Sequence, residues 1–132
     1  MKYLHTMIRV GDLDRSIDFY VDVLGFREVR RKDYPDGKFT LAFLQAPGDD
    51  GDDAPMLELT YNWGVDSYDL GSGYGHVAYR VESIDAIGEA LKKAGLDFSW
   101  GPGSTPDGRK KMAFIDDPDG YKIELIEPVA QY

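Results

Sequence analysis

A segment near the start of this chain returns 71 residues later: His5-Thr-Met-Ile-Arg-Val10 is answered by His76-Val-Ala-Tyr-Arg-Val81. Leu41-Ala42-Phe43-Leu44 and Met112-Ala113-Phe114-Ile115 match at the same offset, so the register survives a helix and two strands. Repetition on this scale marks one supersecondary unit built twice, and it constrains the fold more than any local propensity. The register then slips, because Leu57-Glu58-Leu59 answers Ile123-Glu124-Leu125 at an offset of 66, leaving five extra residues in the first copy. They fall between Gln45 and Pro55, a Gly-, Asp- and Pro-rich stretch that reads as a longer turn than its partner Asp116-Asp117-Pro118-Asp119-Gly120. A hairpin loop absorbs such an insertion at little cost.

Each copy opens with an alternating strand, residues 3–10 and 75–82, followed by a helix that starts near Asp12 or Asp14 and near Ser83. Ile17, Tyr20, Val21 and Leu24 form an apolar stripe in the first helix, and Ile84, Ile87 and Leu91 form one in the second. Gly25 and Gly95 follow as left-handed helix stops. Three more strands complete each copy. The expected organisation is α+β, a single domain over 1–132 made of two βαβββ modules at 1–62 and 75–132, with a linker at 63–74.

Strand parity then sorts the side chains. Ile8 and Val10 face the helix, while His5, Met7 and Arg9 face away; Val77, Tyr79 and Val81 face the helix, and His76, Ala78 and Arg80 do not. In the last strands Leu57, Leu59 and Tyr61 alternate with Glu58, Thr60 and Asn62, and Ile123 and Leu125 alternate with Glu124 and Ile126. A carboxylate inside an otherwise apolar strand needs water, a partner or a metal. A lone strand histidine is ordinarily just a satisfied polar residue, and a lone outward glutamate a solvated one. Here, however, the chain has two histidines in all, and the repeat maps one onto the other while mapping Glu58 onto Glu124. If the modules face each other about a pseudo-twofold axis, His5, Glu58, His76 and Glu124 converge on one point.

The absence of cysteine removes thiolate metal sites and cysteine nucleophiles, so a metal here is bound by nitrogen and oxygen. Two imidazoles and two carboxylates leave a divalent ion formally neutral and suit a six-coordinate ion with two open positions, such as nickel, cobalt, manganese or zinc. A net charge of -9 repels nucleic acid and anionic membranes. MKYLHTMIRV is a poor secretory signal, and no stretch approaches a membrane span, so a cytoplasmic location is expected. The Gly-rich segment at 71–75 precedes a strand, unlike a phosphate loop, and the aspartates of 48–53 lack calcium-loop spacing.

Residues 4–20 (LHTMIRVGDLDRSIDFY), 57–65 (LELTYNWGV), 75–78 (GHVA) and 113–126 (AFIDDPDGYKIELI) closely resemble the bacterial glyoxalase I family of the vicinal oxygen chelate superfamily. That resemblance implies a curved, half-barrel-like mixed sheet with helices outside. It also implies a homodimer whose active sites lie at the subunit interface, where His5 and Glu58 of one chain meet His76 and Glu124 of the other. The implied reaction isomerises the hemithioacetal of methylglyoxal and glutathione to S-D-lactoylglutathione through an enediolate, with glutathione as cosubstrate. By resemblance Glu124 is the base, Glu58 its pseudosymmetric counterpart and a second acid/base, and Arg9 and Asn62 grip the glutamyl end of glutathione. Arg109, Lys110 and Lys111 could add charge near the glycine carboxylate, Trp63 and Tyr74 either wall the pocket or pack, and Arg80 and Ser72 receive no role. The compact length leans towards nickel or cobalt over zinc or manganese, by analogy only. The competing readings are another reaction of the superfamily (epimerase, thiol transferase or dioxygenase) and a non-catalytic dimer that binds small molecules.

Overall fold

The computed structural model describes residues 1–128; the last four residues of the second expected module, 129–132, lie outside the described residues. The chain divides into two compact units between Asp69 and Leu70, inside the expected linker. The first unit runs β1 (His5–Arg9), α1 (Leu13–Ile17), β2 (Arg27–Tyr34), β3 (Phe39–Gln45) and β4 (Met56–Asn62). The second runs β5 (His76–Arg80), α2 (Ile84–Lys93), β6 (Trp100–Ser104), β7 (Lys110–Asp116) and β8 (Lys122–Pro128). Each unit is therefore βαβββ, and each carries one open four-stranded mixed sheet, in the orders β1-β4-β3-β2 and β5-β8-β7-β6. The opening strand pairs parallel with the last, and the other pairings are antiparallel. The parallel pair requires a crossover, which the helix and the following two strands supply.

The helix boundaries follow from their caps. Asp12 accepts the Arg15 amide at 3.1 Å and Ser83 accepts the Ala86 amide at 3.0 Å, each satisfying a first-turn donor. Gly95, at φ 75°, closes α2 in a Schellman motif, with Leu96 N–H donating to Leu91 C=O at 2.8 Å and Gly95 N–H to Lys92 C=O at 3.0 Å. Replacing Ser83 by Ala should cost about 1 kcal/mol of stability, read as a lower denaturation midpoint with an unchanged m-value.

The first helix departs from the expected regular winding. After Ile17 it widens into a π-helical stretch, Asp18–Val23, and ends where Phe26 N–H reaches back to Tyr20 C=O at 2.9 Å. The wider turn buries neighbouring Phe19 and Tyr20 together, at 5% and 2% exposure, and leaves Val21 only half-buried. In the second unit Ile84 and Leu91 are fully buried and Ile87 partly, matching the expected stripe.

The two unequal turns are built differently. The longer one is tied by Gln45, whose amide donates to Gly51 C=O at 2.8 Å. In the shorter, the buried carboxylate of Asp117 accepts both the Asp119 and Tyr121 amides at 2.9 Å, an Asx turn that makes the Asp-Pro-Asp-Gly sequence self-closing.

Candidate active site

Cross-strand pairing places the repeated residues identically in the two units. In the first, Met7, Glu58 and Phe43 lie side by side on β1, β4 and β3; in the second, Ala78, Glu124 and Phe114 lie side by side on β5, β8 and β7. Each histidine stands two residues before the first member of its row, on the same face, and is a diagonal neighbour of the glutamate. His5 Nε2 lies 3.5 Å from Glu58 Oε2, and His76 Nε2 lies 3.6 Å from Glu124 Oε1. The edges of the imidazoles meet the phenylalanines alike, His5 on Phe43 at 5.5 Å and His76 on Phe114 at 5.4 Å between ring centroids.

These pairs occupy the face turned away from the helix. Ile8, Leu57, Leu59, Ala42 and Leu44 fill the helix side of the first sheet, and Ile123, Leu125, Ala113 and Ile115 that of the second. The histidine side chains remain 39% and 42% exposed, whereas the glutamates are sunk to 11% and 17%. A largely desolvated carboxylate beside an imidazole is costly without a cation. The donor spacing suits one. A divalent ion bonded at about 2.1 Å to two adjacent nitrogen or oxygen donors separates them by about 3.0–3.4 Å, close to what each pair presents. Among the described residues, neither unit by itself gathers three such side chains.

The remaining expected residues divide. Arg9 is exposed on the His5 side of β1. Asn62 is on the Glu58 side of β4, where its amide donates to the Tyr68 hydroxyl at 3.0 Å. Trp63 is fixed by its indole N–H to Thr40 at 2.9 Å, and Thr40 in turn donates to Asp33 at 2.7 Å. Tyr74 packs edge-on against Tyr121, and burial, with Asp117 nearby, raises its phenol above the ordinary range. The basic cluster at 109–111 divides: Lys111 lies on the strand face of buried Ala113 and Ile115 and bonds Asp85 of α2 at 2.8 Å, so it points to the helix side, away from His76 and Glu124, whereas Lys110 has the strand parity of Met112 and Phe114, the face of Glu124. The partnership of Lys111 with Asp85 also raises its pKa.

Sequence reasoning passed over the surroundings of the two pairs. Phe43 and Phe114 were visible as repeat partners, and the parity of β3 and β7 would have placed them beside the glutamates. In the second unit, Trp100, Ser104, Pro106, Met112, Phe114 and Lys122 line a concavity of about 440 Å³. Two of these flank Glu124: Phe114 is its cross-strand neighbour, and Lys122 precedes it by two on the same strand face. Gly103 permits this wall, since a Cβ there would come within 2.6 Å of the Trp100 ring.

Residues 2–125 match the Glyoxalase/Bleomycin resistance protein/Dioxygenase superfamily. The chain is 53% identical over 127 residues to a lactoylglutathione lyase of Haemophilus influenzae, covering 96% of this chain and 93% of that protein. Among solved structures it is similar to a glyoxalase I of Leishmania major, described as trypanothione-dependent, at 43% identity and a TM-score of 0.83, covering 96% of this chain and 86% of that one. It is also similar to glyoxalase I from Zea mays, at 40% identity and a TM-score of 0.86, covering 98% of this chain but 48% of the longer maize chain. With the duplicated βαβββ architecture and a His–Glu pair repeated at equivalent positions, these likenesses show that the chain belongs to the glyoxalase I, or lactoylglutathione lyase, family.

Proposed function

We propose that this protein is a metal-dependent lactoylglutathione lyase that converts the hemithioacetal of methylglyoxal and glutathione to S-D-lactoylglutathione. The observation that carries the reading is the repetition of one His–Glu–Phe arrangement, with His–Glu distances of 3.5 and 3.6 Å, in the two halves of a family member. His5, Glu58, His76 and Glu124 would hold one divalent cation, nickel or cobalt in preference to zinc or manganese. In this reading the protein works as a homodimer in which each site takes His5 and Glu58 from one chain and His76 and Glu124 from the other.

When bound, the cation supplies positive charge to the substrate oxygens as a carbon-bound proton leaves. The chain's own groups do the rest. Glu124 takes the proton from the hemithioacetal carbon and returns it to the neighbouring carbon, so one carboxylate is unchanged over the cycle and no redox partner is needed. The concavity flanked by Phe114 beside it offers room for the carbon end of the substrate. Glu58, the more deeply buried of the two, serves as the counterpart acid/base on the opposite face of the substrate. Phe43 and Phe114 hold the imidazoles edge-on and keep water from their flanks. Arg9 pairs with the glutamyl carboxylate, and the side-chain oxygen of Asn62, whose amide is taken by Tyr68, accepts from the glutamyl ammonium. Among the described residues no helix is long and apolar enough to cross a membrane.

The test is product formation. Protein stripped with a chelator should be inactive, and adding back single divalent metals should restore thioester formation from methylglyoxal and glutathione, most strongly with nickel or cobalt. Full activity in the stripped protein, or no thioester with any metal, would overturn the proposal.

A further inference from the structure

Four Asp–Gly bonds lie at the surface of this chain: Asp36–Gly37, Asp50–Gly51, Asp107–Gly108 and Asp119–Gly120. Such a bond is open to attack by the glycine nitrogen on the aspartate side chain, because glycine puts no Cβ beside the nucleophile. The fold treats the four differently. Gly37 N–H donates to Tyr34 C=O at 3.1 Å, Gly108 N–H to Thr105 C=O at 2.9 Å and Gly120 N–H to Asp117 C=O at 2.9 Å. In those three turns a backbone bond commits the glycine amide to a carbonyl. The Asp107 carboxylate is also held elsewhere, by the Arg109 amide at 3.0 Å and the Thr105 hydroxyl at 2.7 Å, which lower its pKa and keep it ionised.

Asp50–Gly51 is arranged the other way. Gly51 N–H donates to Oδ1 of Asp50 itself, at 2.9 Å. The pair is pinned on both sides: Arg27 holds the Asp49 carbonyl, while Gln45 Nε2, at 2.8 Å, and Ala54 N–H, at 3.3 Å, hold the Gly51 carbonyl. Both residues are exposed, and no neighbouring atom lies within 4 Å of where a Gly51 Cβ would stand. The nitrogen and the carboxyl group are thus kept together, uncrowded and open to water. Proximity of this kind favours the intramolecular step over any competing encounter.

We propose that Asp50 is a site of self-modification to isoaspartate. The Gly51 nitrogen attacks Cγ of the protonated Asp50 carboxyl; the N–Cγ bond forms, a Cγ–O bond breaks, and the departing hydroxyl leaves with the amide proton as water. The five-membered succinimide then takes up one water at either carbonyl. Opening at one restores aspartate, and opening at the other routes the backbone through Cγ and frees the former α-carboxyl. The net mass is unchanged and no oxidant, metal or substrate takes part, so the inference stands apart from the proposed lyase activity. The pair sits in the turn that the first copy lengthens by five residues, whereas the shorter turn of the second copy closes its own Asp–Gly amide onto Asp117. The freed carboxyl, on an exposed loop, would suit a protein-carboxyl methyltransferase as partner.

The test is to age the full chain for weeks in mildly acidic buffer, folded and in urea. Isoaspartate is then located by peptide mapping and by methyl transfer from labelled S-adenosylmethionine, with an isoaspartyl methyltransferase as the probe. In the folded protein Asp50 should carry isoaspartate at roughly tenfold or more the level of any other Asp–Gly site. In urea, where the glycine amides lose their turn partners, the four should converge to within about threefold. Asp50→Glu, which would have to close a six-membered ring, should lose the label from that peptide with thermal unfolding unchanged. Folded protein in which Asp50 is unmodified or not favoured over the other three would overturn the proposal. So would an Asp50 preference of the same size in urea, which local sequence alone would explain, or a label that survives in Asp50→Glu.

Discussion

Replacing Glu124 by Gln should lower kcat for hemithioacetal isomerisation by roughly 10² to 10⁴-fold, while thermal unfolding stays close to that of the unaltered protein. The amide is isosteric, so the packing between β7 and β8 is preserved, and its oxygen can still donate a lone pair to a metal. It cannot carry the proton between two carbons. Glu58→Gln makes the necessary comparison, because Glu58 has the same cross-strand setting, opposite Phe43 as Glu124 is opposite Phe114. If Glu124 is the base for the productive face, kcat falls further in Glu124→Gln than in Glu58→Gln, with product followed as thioester absorbance. Equal losses would mean that the two carboxylates share the proton transfer, and near-normal turnover in Glu124→Gln would remove it from the mechanism.

His5→Ala and His76→Ala should each weaken metal binding on the order of 100-fold or more, beyond what loss of an outer partner costs, and turnover should fall with occupancy. The argument is one of equivalence. Each imidazole stands at the same distance from its glutamate and meets the edge of the same type of ring, so neither pair is a natural candidate for the sole metal site. Because both histidines are about 40% exposed on faces away from the core, removing them leaves the hydrophobic packing intact. A loss of affinity without a loss of apo-protein stability therefore reports ligation.

Much of this architecture was legible before any coordinates. The duplication predicted two βαβββ units, and parity along residues 5–10 and 57–62 predicted that histidine and glutamate would share the face away from the helix. Gly25 and Gly95 lie at positive φ where the helices stop, as their positions after the apolar stripes required. What stayed hidden has specific causes. The π-helical widening at Asp18–Val23 defeats a reading built on 3.6-residue periodicity, because burying Phe19 and Tyr20 side by side takes a wider turn. Strand β2 has no apolar alternation to read, as an edge strand protected by charge need not, so the bulge at Val29 that turns Arg30 towards the site leaves no trace in the sequence. The orientation of Lys111 was legible in principle: it shares its parity with Ala113 and Ile115, which fill the core.

The central claim is that the two repeated pairs act together on one ion, and metal stoichiometry tests it most directly. Titrating stripped protein with cobalt(II), while following its visible absorption and the metal retained after gel filtration, should saturate at one tightly held ion per chain in the unaltered protein and leave little tight binding in either histidine variant. Two ions per chain, or one ion held tightly despite the loss of either histidine, would show that each His–Glu pair acts alone and would contradict the account.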